Sequence, residues 1–569
     1  MGNRYHGFPV SVCLDFQLFR NKTTKRRNIL TIMPTDKYGS ARWAQESDFQ
    51  QEGILRFPAF QPNTPMLSSP QRKEFLKSNP VNRSFILGRL GDPATLTEGI
   101  RKGYDTNMGL FGGLSSLFTG GRGGQYLGWA GDGHILTVAP TRSGKGVGLV
   151  IPNLTHYPGS VIVIDPKGEN YAVTHKFRRD FLKQQIVCLD PFRIMSKGMD
   201  CINPFEGIVD YNKSPERYHI LNPELLDEAN LIAEALIMRG PEEKDPHWND
   251  KCRTLLKGII LSVICGLSPN GRRHLSEVRA IIASGEENLK AHLVLMEKKS
   301  TLAGGLVSRA AKEIQSMGTQ ELKNVISFAL KHTEFLDSPL VEEALGDSED
   351  KGTFNMRNLK TKGGVSVYMI LPPHYLTRYV RVLRLWVTMA MAAMTRTKDK
   401  PADGCPVLFM LDEMAQLGTL DMMRQAVSLL AGYGMSIWMI WQDLSQLKML
   451  YEHDWPSFIA NAKIQQFFGI NDHETAKFVS EMLGAATIDV ETTAKGTSGG
   501  RFAIMDTQSN KSTTHSETQR NLLNADEIRR LNRKSMLMFV QGIPPILAER
   551  ITYYEDQTFT SRCQTNPYV

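Results

Sequence analysis

Seven short apolar runs are spaced along the chain, at 134–139, 160–165, 186–190, 365–371, 406–411, 436–441 and 463–469. They are rich in Val, Ile and Leu, and most are bounded by Gly, Pro, Asp or Asn. Runs of this length and composition predict strands buried on both faces. Helical periodicity fills several of the intervals, notably 376–395 and 421–430. Such alternation predicts an α/β fold with a parallel-dominated sheet, covered by helices on both sides.

Between residues 213 and 345 the pattern changes. Segments 223–239, 248–267, 274–284, 286–299 and 306–332 have helix-like spacing, with no convincing strand among them. Asn222 followed by Pro223 is a helix-start signature, with the Asn as cap and the Pro at the first helical position. An inserted all-α domain is therefore expected between two strands of the core. The division that follows is an irregular N-terminal segment at 1–85, a core split into 86–212 and 346–555, the insertion at 213–345, and a C-terminal tail at 556–569. Residues 103–133 are Gly-rich and read as loop. Residues 491–519, dense in Ser, Thr and Gly, read as a mobile loop. Asn524-Ala-Asp-Glu527 starts a helix, and 535–540 with 548–554 form a closing strand pair around Gly542-Ile-Pro-Pro545.

Length and composition narrow the class. A chain of 569 residues exceeds what one core serves, so two or three domains are expected. The 67 Lys and Arg against 59 Asp and Glu leave +8, compatible with a polyanionic partner without demonstrating one. Seven cysteines are scattered without a C-x-x-C pair, which supports neither a zinc site nor a disulfide framework. No window approaches the ~18–20 apolar residues of a spanning helix. Residues 8–19 are nevertheless apolar-rich and are followed by Arg20-Asn-Lys-Thr-Thr-Lys-Arg-Arg27, the order found at the cytoplasmic end of a membrane segment.

Candidate chemistry gathers at the ends of three predicted strands. After the first comes Ala139-Pro140-Thr141-Arg142-Ser143-Gly144-Lys145-Gly146-Val147, close to the phosphate-cradling G-x-x-x-x-G-K-[ST] loop. In such a loop, inward-turned backbone N–H groups bind phosphate oxygens and the lysine reaches the terminal phosphates. The following helix adds its positive end. Ala139 replaces the first Gly, and Gly146 replaces the hydroxyl residue that ligates Mg2+, so water, Thr141 or Ser143 is expected to substitute.

The fifth run ends in Asp412-Glu413. Beside that lysine, Asp412 is expected to bind Mg2+ and Glu413 to polarise the water that attacks the γ-phosphate. Gln442 closes the sixth run, placed to contact the γ-phosphate or its water. Lys145, Asp412, Glu413 and Gln442 form the expected catalytic set, with 139–147 holding ATP. Together they describe a nucleoside triphosphatase. Arg142, Arg378, Arg381, Arg384 and Arg424 are candidates for a cation supplied to a neighbouring subunit's site. Lys167 and Glu169 are expected to position their loop or to pair with each other.

Several longer motifs occur in the same chain: Thr141-Arg-Ser-Gly-Lys-Gly-Val-Gly148, Asp165-Pro-Lys-Gly-Glu169, Leu411-Asp-Glu-Met-Ala-Gln-Leu-Gly418 and Trp441-Gln442-Asp-Leu-Ser-Gln-Leu447. Tyr38-Gly-Ser-Ala-Arg-Trp-Ala44 and Asn203-Pro-Phe205 accompany them. In this combination the chain, from about residue 36 to 555, resembles the TraG-type coupling ATPases of bacterial conjugation and type IV secretion. The resemblance implies a RecA-like P-loop core, ATP and Mg2+ as cofactors, a homo-hexamer, and an inserted domain that contacts cargo. It also implies that relaxase-bound single-stranded DNA, protein effectors or both are handed to channel components. The expected location is cytoplasmic, peripheral at the inner membrane. Two other readings stay open. A translocase of the FtsK or HerA type shares the core but lacks the helical insertion and the 165–169 run, and a recruitment adaptor would bind nucleotide yet hydrolyse little.

Overall fold

A computed structural model describes residues 40–44, 46–49, 54–57, 83–89, 125–196, 200–238, 247–346, 353–396, 398–497 and 509–568. The apolar run at 8–19, its basic neighbour and the Gly-rich stretch 103–124 lie outside the described residues.

The strands are β1 (Ile54–Phe57), β2 (Phe85–Arg89), β3 (Tyr126–Trp129), β4 (His134–Val138), β5 (Val161–Ile164), β6 (Gln185–Leu189) and β7 (Val365–Met369). They continue with β8 (Val407–Leu411), β9 (Met435–Trp441), β10 (Ala462–Phe467), β11 (Ala485–Thr497), β12 (Ser509–Asn521), β13 (Ser535–Val540) and β14 (Ile546–Glu549). The seven apolar runs are β4 to β10. They lie side by side in the order β10-β4-β9-β8-β5-β7-β6, every neighbouring pair parallel. Beyond β10 the sheet becomes antiparallel, through β13, β14, β2, β3 and β1.

The longer helices are α1 (Glu169–Asp180), α2 (Leu225–Leu236), α3 (His247–Ile264), α4 (Leu275–Ala283) and α5 (Glu286–Lys298). After them come α6 (Leu306–Gln315), α7 (Thr319–Thr333), α8 (Pro373–Thr395), α9 (Asp421–Leu429) and α10 (His473–Leu483). Helices α2 to α7 form the insertion, which leaves after β6 and returns before β7, at the parallel edge of the sheet.

Side chains alternate across each strand. Val407, Phe409 and Leu411 of β8 therefore enter one apolar cluster, while Leu408 and Met410 enter another on the opposite face. The first cluster continues without a break into the insertion, taking in Leu236, Leu255, Ile259 and Leu293. Insertion and core share one hydrophobic interior.

Several elements differ from expectation. Within the stretch 491–519 expected as a loop, residues 498–508 lie outside the described residues, and 491–497 and 509–519 belong to a two-stranded antiparallel ribbon, β11 with β12. Its threonines suit a strand as well as a loop, and composition alone missed that. The helix expected over 306–332 is two, α6 and α7, because Gly318 is extended (φ −60°, ψ 154°) and starts a new helix. Helix α2 begins at Leu225, and Asn222 instead accepts from Glu224 N in a preceding turn. The last strand is 546–549, not 548–554. Within the N-terminal segment expected to be irregular, β1 is a strand. Residues 556–568 pack back on the core: Asp556 accepts from Tyr126 Oη at 2.6 Å, and Gln564 N donates to Val173 O at 2.9 Å.

Candidate nucleotide site

Because β4, β9 and β8 are adjacent and parallel, the segments leaving their C-terminal ends meet. Ala139 N donates to Trp441 O at 2.8 Å, tying the start of the loop to the end of β9. The loop then turns back, with Ser143 N donating to Pro140 O at 3.2 Å. Arg142 (φ 62°) and Gly144 (φ 86°) are left-handed. At 144 a side chain is excluded twice, by this φ and by the Arg550 guanidinium lying where a Cβ would sit. The chain continues into a π-helical turn, Gly146–Val150, a geometry frequent at functional sites.

The four expected catalytic residues form one bonded cluster. Lys145 Nζ donates to Glu413 Oε1 at 2.8 Å and lies 3.4 Å from Asp412 Oδ1. Gln442 Nε2 donates to Glu413 Oε2 at 2.6 Å, and Thr141 Oγ1 donates to Gln442 Oε1 at 3.1 Å. The side chains of Lys145, Asp412 and Glu413 stay 11%, 14% and 21% exposed, so a ligand can reach them. Glu413 itself is left-handed (φ 62°), uncommon for a residue with a side chain. That turn aims its carboxylate back at the phosphate loop.

Electrostatics bind the cluster more tightly. Burial disfavours the Lys145 ammonium, but Asp412 and Glu413 outweigh it and raise its pKa. Burial raises the pKa of Asp412; Lys145 opposes the shift and Glu413 adds to it. Asp165 follows β5, whose Ile164 is in register with Leu411 of β8, so its carboxyl neighbours Asp412. Burial pushes the Asp165 pKa up to about 7, against the N–H donors of Tyr171 and Asn170 and with added repulsion from Asp412 and Glu169.

The residues present fit a divalent cation. Asp412 Oδ1 is buried, and its neighbour is the Lys145 ammonium at 3.4 Å with no hydrogen bond formed; hard cations such as Mg2+ take carboxylate oxygens. The two hydroxyls expected to substitute for the absent loop ligand are engaged: Ser143 donates to Pro140 O at 2.6 Å, and Thr141 holds Gln442. Nothing lies within 4 Å of a Cβ built on Gly146, so crowding does not exclude a hydroxyl residue there.

The arginine stripe turns out to serve the insertion. Arg378 pairs with Glu334 at 3.3 Å. Arg381 donates to Leu236 O at 3.1 Å. Arg384 is 3% exposed and donates to four main-chain carbonyls, and burial pushes its pKa down to about 10. Their regular spacing marked a shared face, but that face meets the insertion. Arg142 lies on the exposed loop, and Arg424 is partly exposed, pairing with Asp421 and Asp454. Neither of these two is tied to the insertion. Glu169 Oε1 accepts from Asn566 Nδ2 at 2.6 Å, and Lys167 O accepts from Tyr568 Oη at 2.7 Å, so the C-terminal residues brace that loop.

Sequence reasoning missed Arg550. Its guanidinium donates to Ser143 O and to Arg533 O, and lies 5.4 Å over the Phe468 ring. It ties the phosphate loop to the segment after β14 and borders a cavity of about 700 Å3, lined also by Arg530, Arg533 and Tyr554. A lone arginine after a four-residue strand has no pattern to reveal it.

A phosphate loop, an acidic pair and a polar amide at the ends of adjacent parallel strands define a RecA-like P-loop fold. The same fold appears in the solved structure of plasmid coupling protein TrwB in complex with ADP and Mg2+. That likeness has a TM-score of 0.54 at 15% identity and covers 74% of this chain and 85% of that one. The chain belongs to the type IV secretory system conjugative DNA transfer family, whose model matches residues 97–568. It is 28% identical over 556 residues to conjugal transfer protein TraG of Escherichia coli, covering 92% of this chain and 78% of that protein. To protein VirD4 of Rhizobium rhizogenes it is 28% identical over 445 residues, covering 76% and 60%.

Proposed function

We propose that this chain is the ATP-driven coupling motor of a type IV secretion or conjugation system. It delivers relaxase-bound single-stranded DNA, protein substrate or both to the secretion channel. The observation that carries this reading is the bonded cluster of Lys145, Asp412, Glu413 and Gln442 at the strand ends. TrwB, which has the same fold, has been solved with ADP and Mg2+ and with an ATP analogue.

In this reading residues 139–147 cradle the phosphates, and the γ-phosphate competes with Glu413 for the Lys145 ammonium. Asp412 would hold Mg2+, which would supply charge neutralisation on the phosphates. Glu413, freed from Lys145, accepts a proton from the attacking water. The water oxygen bonds to the γ-phosphorus as the bond to ADP breaks, leaving ADP, phosphate and a protonated Glu413 that returns its proton to solvent. Gln442, joined to both Glu413 and Thr141, orients that water and registers the loss of the γ-phosphate.

The working form is a homo-hexamer in which a neighbour supplies the missing cation, with Arg424 and Arg142 as the available donors. It acts peripherally at the cytoplasmic face of the inner membrane. No helix among the described residues is long and apolar enough to cross a membrane. Turnover should therefore rise more than linearly with protein concentration and be stimulated by single-stranded DNA. Mixing Arg424→Ala or Arg142→Ala protein with Lys145→Ala protein should restore part of the activity, since each supplies the half-site the other lacks. Specific activity that is independent of concentration and of DNA, with no complementation, would contradict the motor.

A further inference from the structure

One side chain joins the helical insertion to the nucleotide cleft. The last carbonyls of α2, like those of any helix C-terminus, lack partners within the helix. Two arginines of α8 take them. Arg381 Nε donates to Leu236 O at 3.1 Å, while Arg384 donates from Nε to Ala235 O at 3.2 Å and from Nη2 to Ile237 O at 3.1 Å. Arg384 alone goes further. Its Nη1 donates to Thr419 O at 2.9 Å and also to Leu417 O, both in the segment that leaves Glu413.

That segment has little slack. Glu413 and Gly418 are both left-handed, at φ 62° and φ 63°, and a single 3-10 turn, Met414–Leu417, spans the gap between them. Met414 and Leu417 are buried in the apolar cluster that also holds Ala235 and Leu236 of α2. The Arg384 guanidinium is planar with donors in fixed directions, so it cannot follow one pair of carbonyls without pulling on the other. At 3% exposure, no water stands ready to replace a broken bond.

We propose that Arg384 is a positioning residue that couples the nucleotide state of the cleft to the inserted helical domain; this rests on the ATPase reading above. When the γ-phosphate takes Lys145 from Glu413, segment 413–419 is the part of the cleft released to shift. The Leu417 and Thr419 carbonyls shift with it, and Arg384 carries the displacement to the C-terminal end of α2. The coupling runs through a packed, bonded element that both sites bias, the physical requirement for communication between sites. Arg381 caps the same helix end without reaching the cleft, and so serves as the internal control.

The test is amide hydrogen exchange on the full chain, with and without a non-hydrolysable ATP analogue and Mg2+, alongside nucleotide affinity and DNA-stimulated turnover. In wild type, nucleotide should change exchange across residues 225–238. Arg384→Gln should keep nucleotide affinity within about threefold, lose that response, and drop DNA-stimulated turnover by about tenfold, a typical coupling magnitude. Arg384→Lys should fail to restore it, since one ammonium cannot meet four carbonyls. Arg381→Gln should retain the response. If Arg384→Gln does not fold, Gly418→Ala addresses the same link from the loop side. A Cβ at its left-handed φ strains the segment while Arg384 stays in place, and the response at 225–238 should again be lost. Nucleotide binding with an undiminished response in Arg384→Gln, or in Gly418→Ala where the first variant is unfolded, overturns the coupling alone. An equal loss in Arg381→Gln overturns it too, by showing mere loosening of α2. A wild-type protein that binds no nucleotide overturns the ATPase reading, and this inference with it.

Discussion

The nucleotide cleft and the seam under the insertion use cations in opposite ways. In the cleft, Lys145 is bonded to the side chain of Glu413, a partner that phosphate displaces in the proposed mechanism. In the seam, Arg384 is bonded to main-chain carbonyls that no ligand replaces. The cleft is partly open and its charges compensate one another, whereas the seam is closed and the Arg384 charge is spread over carbonyl dipoles. In the proposed mechanism the first region exchanges partners and the second keeps them.

The sharpest way to break the comparison is to remove the exchangeable cation. Lys145→Ala should abolish ATP turnover and weaken nucleotide binding by roughly 10- to 100-fold, the range for losing a charge-assisted contact to phosphate. The fold should survive, because the loop is a partly exposed turn and not core. Steady-state phosphate release and circular dichroism decide it, and undiminished release in the variant would mean that Lys145 does not serve the phosphates.

A smaller effect tests the crowding of acids behind the cleft. The folded pKa of Asp165, about 7, lies above its ordinary 3.8, so the folded chain holds a proton that the unfolded chain has already released. Stability from this group is fully present below pH 4 and is lost as pH rises toward 7. Asp165→Asn should remove that slope, on the order of 1 kcal/mol per pH unit at most. Denaturant titrations of both proteins between pH 4.5 and 7.5 read the difference, and parallel pH profiles would show that Asp165 is not held protonated.

The smallest expected change is a gain. Gly146→Ser adds the hydroxyl that most phosphate loops place on Mg2+, in open space. Half-saturation by Mg2+ in the presence of ATP should fall a few-fold, about 1 kcal/mol or less for one added neutral ligand in place of water. A rise instead would mean that the metal sits away from this end of the loop.

Much of this was legible in the sequence. The seven parallel strands announce themselves because burial on both faces makes each a continuous apolar run. The antiparallel flank was harder to see. Strands such as Ile54–Phe57 and Tyr126–Trp129 are four residues long, and β1 lies in a stretch whose polar residues and prolines read as irregular. The cleft was readable because its residues stand at strand ends, a position the apolar runs themselves define. Helical spacing put Arg378, Arg381 and Arg384 on one face, yet what that face meets is decided by the path of the insertion, which local spacing does not encode. The β11–β12 ribbon was hidden for a related reason: Thr-rich sequence serves strand and loop alike, and pairing with a distant partner selects the strand.

The central claim is that Lys145 is shared between Glu413 and the nucleotide, and the equilibrium affinity of Glu413→Gln protein for ATP with Mg2+ tests it most directly. An amide competes weakly for the ammonium and cannot accept the water's proton. The variant should therefore bind ATP at least as tightly as wild type while releasing phosphate about 10²- to 10⁴-fold more slowly. A Glu413→Gln protein that loses ATP affinity as severely as Asp412→Ala would contradict the exchange and the division of labour between the two acids.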